Sequence, residues 1–175
     1  MINNVKDDDI KLSLLMTWLD GFKGTLFRQT QFAEFEKKIH EEVEKGKPLT
    51  GDYLSDIYGD IIKKYYGHDQ KICLIDDYVT IEWANIPHFY MNFYVFQYST
   101  SFTASISLAE KVLAKEPKAL ENYLKFLASG GSDYPINQLK EAGVDMTTSL
   151  PFEKAIQAMN KVMDEIDKIL SKKGK

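Results

Sequence analysis

The sequence predicts an all-α fold of six to eight helices, and three observations carry that prediction. Apolar residues recur three or four apart along most of the chain, the period of one helix face. Proline and glycine punctuate these stretches in the helical sense: Pro87, Pro117 and Pro151 stand at starts, Gly46 and Gly143 at ends. A single short run, Ile72-Cys73-Leu74-Ile75, has strand character, and no partner strand accompanies it, so it is assigned to loop. At 175 residues the chain has room for one domain with a substantial core, and residues 1–175 are read as one helical unit.

In order, Asp7 to Asp9 provide a cap and an acidic first turn for a helical pattern running from Asp9 to Glu44. Leu12, Leu15, Met16, Leu19 and Phe22 set its inner face, continued by Phe27, Phe32, Phe35 and Ile39. Gly21 and Gly24 interrupt it at about 1 kcal/mol each, so either the helix breaks there or another backbone comes close. Thr50 to Tyr66 forms a shorter helix with Tyr53, Leu54, Ile57, Ile61 and Tyr65 inward, and Tyr78 to Trp83 begins another. A long aromatic helix is expected from Pro87 to about Ala114, with Ile106, Leu108, Val112 and Leu113 burying its second half. Pro117 starts a helix carrying Leu120, Tyr123, Leu124 and Leu127. Gly130-Gly131-Ser132 makes a sharp turn, and a short helix follows over Ile136 to Ala142. A last helix runs from Phe152 to about Ile169, and Lys172 to Lys175 read as a C-terminal tail.

Composition narrows the function classes. With 44% hydrophobic and 27% charged residues the chain is an ordinary soluble domain. Its net charge of −4 gives no basic surface for nucleic acid or an anionic membrane. There is no run of 18 apolar residues and no signal peptide at the acidic N-terminus. Cys73 is the single cysteine, which fits a reducing, cytoplasmic location and no internal disulfide. Arg28 is the only arginine, expected to clamp a buried carboxylate such as Glu34 or Glu36.

The densest chemistry lies between Glu82 and Ser101. On a helix opened by Pro87, Phe89, Phe93 and Phe96 make an apolar stripe, and Tyr90, Tyr94 and Gln97 a second one with Tyr98 just beyond. Two adjacent faces suggest burial on one side and a cleft on the other; tyrosines at a core edge, wetted at their hydroxyls, would look the same. His88 follows the proline, where a backbone-bonding helix-start residue is the plain alternative to a functional one.

Pro87-His88-Phe89-Tyr90-x-x-Phe93-Tyr94-Val95-x-x-Tyr98-Ser99-Thr100 resembles a segment of oligoendopeptidase F, a zinc metallopeptidase related to thimet oligopeptidase. Asp20-Gly21-Phe22-Lys23-Gly24-Thr25 through Glu36 is similar to that family's segment just after its zinc-binding region. Ser129-Gly130-Gly131-Ser132-Asp133-Tyr134-Pro135-Ile136, then Ala142-Gly143-Val144-Asp145-Met146, is similar to its C-terminal loop and closing helices. The resemblance thus implies the C-terminal portion of a helical peptidase catalytic domain that hydrolyses oligopeptides with zinc. It also implies that His88 and a tyrosine stabilise the oxyanion. Tyr94 is put first for that role, with Tyr90 and Tyr98 as candidates and as substrate contacts beside Gly130, Gly131 and Tyr134. Phe96 and Asn85 stand where relatives are expected to carry tyrosine and arginine.

Such a peptidase needs His-Glu-x-x-His, whose paired histidines hold zinc while the glutamate activates water. The chain contains no such motif. His40-Glu41-Glu42-Val43-Glu44 comes nearest, and its lysine- and glutamate-rich surroundings read as a solvated face. The expectation is therefore no metal or other cofactor in this chain, zinc belonging to the intact enzyme, and inactivity alone. The expected partners are an oligopeptide and either the missing zinc-binding half or a second copy, through orphaned Leu12, Leu15 and Leu19 and the phenylalanine stripe. A non-enzymatic helical module that binds peptide or protein is the competing reading.

Overall fold

The structure, a computed structural model, describes residues 4–173; Met1 to Asn3, and Gly174 and Lys175 of the expected tail, lie outside them. The described residues contain seven α-helices and no strand. They are α1 (Asp8–Gly21), α2 (Arg28–Glu44), α3 (Gly51–Tyr66), α4 (Phe96–Leu113), α5 (Ala119–Ser129), α6 (Pro135–Glu141) and α7 (Leu150–Lys173). A π-helical turn covers Phe22–Phe27, and two 3-10 helices cover Asp77–Asn85 and Pro87–Met91. Contacts gather in two compact units. One is Gly24–Ser99; the other joins the chain up to Lys23 with the chain from Thr100 onward.

In the Gly24–Ser99 unit, α2 and α3 pack on each other and the Asp77–Asn85 helix packs on α3. Phe32, Phe35, Ile57, Tyr58, Ile61, Ile62 and Val95 are buried together. Thr50 caps α3, its hydroxyl accepting the Tyr53 N–H at 3.2 Å, and Gly67 ends it at φ +64°, a conformation a side chain would strain. At Gly59 a Cβ would lie 3.1 Å from the Thr80 methyl, so glycine lets the Asp77–Asn85 helix close on α3.

The long aromatic helix expected from Pro87 does not form. The Pro87–Met91 helix stops, Asn92 and Phe93 take positive φ values of 44° and 59°, and α4 begins only at Phe96. In an unbroken helix the Phe93 N–H would bond the carbonyl four residues back. Here it donates to Glu36 Oε1 at 2.7 Å instead, so the ladder is interrupted from outside the segment. The two aromatic stripes go with it. Phe89 packs edge-on against Phe32, Phe93 lies on His40, and Phe96 is half-exposed.

In the other unit, α1 packs along α7, with Leu15 buried against Ile166 and Ile169 and flanked by Leu12, Leu19 and Val162. Of the leucines expected to be orphaned, Leu15 is buried within the chain and Leu12 and Leu19 are partly buried. At Gly21 and Gly24 the helix neither stops nor meets a backbone. It widens into the π-turn, and the Phe102 ring lies 3.7 Å from where a Gly21 Cβ would stand. On α5 the inward side carries Ala119, Tyr123 and Phe126; Leu120, Leu124 and Leu127 are exposed, and so is Leu113 of α4 at 81%. Both faces of α5 are apolar, so spacing could not choose between them; packing with Ala104, Leu108, Ala142 and Val144 does. Beside them an apolar groove of about 600 Å³ runs between α4, α5 and α6, lined by Val112, Phe126, Leu127 and Leu139 among others.

Candidate functional site

Three of the expected site residues meet. Pro87 starts the 3-10 turn that presents His88, and the Asn92–Phe93 reversal brings the following residues back toward it. His88 Nε2 and the Tyr98 hydroxyl are 3.2 Å apart. The Tyr94 ring stacks on the imidazole, centroids 5.8 Å apart and planes within 7°, while Tyr98 stands edge-on at 5.6 Å. Tyr94 and Tyr98 are 5.5 Å apart at 85°, closing a triangle of rings. The Tyr94 hydroxyl, and to a lesser degree burial, hold the Tyr98 phenol above its ordinary range, so it stays a proton donor. His88 and Tyr98 are half-buried and Tyr94 is 36% exposed, which leaves the niche open to a ligand.

The other expected residues are placed differently. Tyr90 is 87% exposed and stands outside this triangle. Gly130, Gly131 and Tyr134 belong to the other unit. There Gly130 takes φ +55° at the end of α5 and its carbonyl accepts from Gln138, while Asp133 accepts from the Tyr134 N–H and from Asn137. Tyr134 is exposed.

What holds the niche was only partly foreseen. Arg28 pairs with Glu82, not with Glu34 or Glu36, and its guanidinium lies over the Phe32 ring at 4.9 Å. Glu82 also accepts from the Tyr58 hydroxyl, which in turn accepts from Gln31 Nε2 at 2.9 Å. Burial first, and Glu82 second, push the Tyr58 phenol far above its usual range. Trp83 adds a bond from Nε1 to Ser55 at 3.2 Å. Together these fasten the 3-10 segment that leads into His88 onto α2 and α3.

Sequence reasoning missed Gln31 and Glu42, and gave Glu36 as a buried carboxylate with the wrong partner; all three are buried polar residues on α2. Their signal was weak but present: each lies on the same helix as the Phe32, Phe35 and Ile39 stripe, beside it. Glu42 accepts from Lys47, Tyr53 and Lys45, which in that order hold its carboxyl well below the usual carboxylate range. His40, in the run read as a solvated face, stacks on Phe93 with centroids 4.3 Å apart. His68 Nδ1 accepts the Ile75 N–H at 2.9 Å, and Cys73 is exposed.

Among the described residues no group of three or more His, Cys, Asp or Glu side chains could hold a metal ion. The side chains present do not make up a zinc site by themselves. No helix among the described residues is long and apolar enough to cross a membrane.

Comparison with known proteins gives the class to which this helical chain belongs. Residues 2–158 match the model of peptidase family M3, and the chain belongs to that family. More closely, it is 43% identical over 172 residues to the oligopeptidase PepF of Bacillus subtilis, covering 98% of this chain and 25% of that protein. It is equally similar, 43% over 172 residues, to the group B oligopeptidase PepB of Streptococcus agalactiae, again over 98% of this chain and 28% of the other. The crystal structure of oligoendopeptidase-F from Enterococcus faecium superposes with a TM-score of 0.91 at 49% identity, over 97% of this chain and 32% of that one. The chain thus spans about a quarter of the length of these curated relatives.

Proposed function

We propose that this chain carries the substrate-facing, oxyanion-stabilising part of a zinc peptidase that hydrolyses oligopeptides, and that it is inactive without the sequence that completes such an enzyme. The observation that carries the reading is the His88–Tyr94–Tyr98 triangle, in which an imidazole nitrogen and a phenol hydroxyl already lie 3.2 Å apart. A peptide carbonyl oxygen entering the niche would exchange the His88–Tyr98 contact for bonds to itself. His88 and Tyr94 are its principal donors, and the Tyr98 ring, edge-on to the imidazole, keeps backing it once that contact is exchanged. As the carbonyl carbon is attacked its oxygen gains negative charge, and donors fixed beforehand in a sheltered site lower the barrier because they need not reorient. Gly130, Gly131 and Tyr134 are proposed as further contacts to the peptide, and a reducing, cytoplasmic location fits the exposed thiol of Cys73.

The test is kinetic, in a peptidase that contains this chain together with the complementing sequence. His88→Ala and Tyr94→Phe are each expected to lower kcat by roughly 10²–10³ while KM moves little. Tyr98→Phe and Tyr90→Phe run alongside to show which hydroxyl matters. If the four variants keep wild-type kcat per folded molecule and lose only stability, these are core-edge residues and the site assignment is wrong.

A further inference from the structure

We infer that Glu36 is a positioning residue for the His88–Tyr94–Tyr98 cluster: with His40 one turn further along α2, it holds the left-handed Asn92–Phe93 reversal on which the three rings meet. The inference rests on the reading of that cluster as substrate-facing.

The geometry shows why a holder is needed. Were residues 87–98 one helix, His88 and Tyr98 would stand about 15 Å apart along its axis, and His88 and Tyr94 about 120° apart around it and about 9 Å along it. Neither pair could touch. In the structure His88 Nε2 is 3.2 Å from the Tyr98 hydroxyl, and the Tyr94 ring is stacked on the imidazole. The difference lies in Asn92 and Phe93, at φ 44° and 59°. Asparagine tolerates that region; phenylalanine rarely adopts it, and such a residue persists only where its surroundings fix it.

The surroundings here are two side chains of α2. Glu36, 1% exposed, accepts the Phe93 N–H on Oε1 at 2.7 Å, removing the donor that would otherwise extend the helix. His40, four residues on and so on the same face, lies against the Phe93 ring at 4.3 Å. One residue is thus held by both its peptide and its ring. Glu36 touches none of the three site rings through any bond in the structure, and its effect is carried by the backbone between them.

The test uses the isotope-labelled chain. With three histidines, at 40, 68 and 88, the His88 ring signals can be assigned, and their proximity to Tyr98 protons reports the cluster directly. Glu36→Leu is expected to abolish the His88–Tyr98 proximity signals and displace the His88 resonances. The Trp83 indole N–H, bonded to Ser55, stays in place as the reporter of the surrounding core. Glu36→Gln, which keeps a carbonyl oxygen at the same reach, is expected to restore the wild-type His88 signals. Unmoved His88 signals in Glu36→Leu, or displacement of His88 and Trp83 together, would overturn the inference. Should Glu36→Leu not fold, His40→Ala decides: His88 moving with Trp83 fixed supports the grip, and both unmoved refutes it. In the completed peptidase, Glu36→Leu is expected to lower kcat about 10²-fold with little change in KM, since small misplacements of catalytic donors have effects of that size. If His88→Ala leaves kcat intact while Glu36→Leu still displaces the His88 signals, the catalytic reading falls and the positioning stands. If His88→Ala abolishes turnover and Glu36→Leu leaves His88 in place, the positioning alone falls.

Discussion

Removing the Tyr58 hydroxyl is expected to destabilise the Gly24–Ser99 unit by about 2–4 kcal/mol, and the estimate follows from what that oxygen does. Tyr58 is 0% exposed and its hydroxyl sits mid-chain in a network, accepting from Gln31 Nε2 at 2.9 Å and donating to Glu82. In Tyr58→Phe the bond to a carboxylate disappears, a loss of about 1.5–3 kcal/mol, and the buried Gln31 amide keeps a hydrogen without an acceptor, at about 1–3 kcal/mol. The two losses overlap, and the phenyl ring still fills the space between Phe32 and Phe35, so the total stays below their sum. Gln31→Leu/Tyr58→Phe tests the cause, since with both partners apolar no amide is stranded. The pair is expected to cost less than the sum of the single changes by about 1–2 kcal/mol. Urea unfolding followed by Trp83 fluorescence, in a Trp18→Phe background, reads the correct unit. A midpoint shift worth less than about 0.5 kcal/mol at unchanged slope would refute the reasoning.

Other outcomes follow from the same geometry. Asp145 accepts from Thr147 and Lys140, and these hold its carboxyl down to about 2. Because the folded value lies below the unfolded value of about 3.9, its contribution is present above that value and lost as pH falls through about 2. Melting temperature between pH 5 and 2 is therefore expected to fall less steeply in Asp145→Asn, and equal slopes would count against the pairing. Dialysed against micromolar zinc, the chain is expected to bind no stoichiometric metal and to cleave no peptide; one tight zinc per chain, lost in His40→Ala, would reverse the metal assignment. Exposed Leu113, Leu120, Leu124 and Leu127 are expected to make the chain self-associate or take a partner. A stable monomer that binds no hydrophobic dye, shown by sedimentation, would contradict this.

The helical character of the chain was legible because most of its signals are local. Thr50, Gly67, Pro135 and Gly143 act within a turn of their own position, and α3, α6 and α7 stand close to where spacing put them. Two things were not legible, and both depend on residues far apart in sequence. Which side of α5 faces inward is decided by α4 and α6, since Leu120, Leu124 and Leu127 are as apolar as Tyr123 and Phe126. Likewise, nothing near Arg28 says that its partner is Glu82 in place of a nearer carboxylate.

The candidate site shows the same division within a single segment. Local rules read Pro87 onward as one helix, and by those rules His88 and Tyr94 face apart. Their meeting requires Glu36, more than fifty residues earlier, to take the Phe93 N–H out of the helical ladder. Glu36 lies beside the Phe32, Phe35 and Ile39 stripe, but that position says only that it is near the core and not that its partner is the Phe93 N–H. Of the residues that the motif offered, His88, Tyr94 and Tyr98 come together, whereas Tyr90, which both the motif and the helical wheel grouped with them, stands apart. Where a segment dense in aromatic residues departs from its local preference, the cause lies in what another element donates or accepts, and here that element is α2.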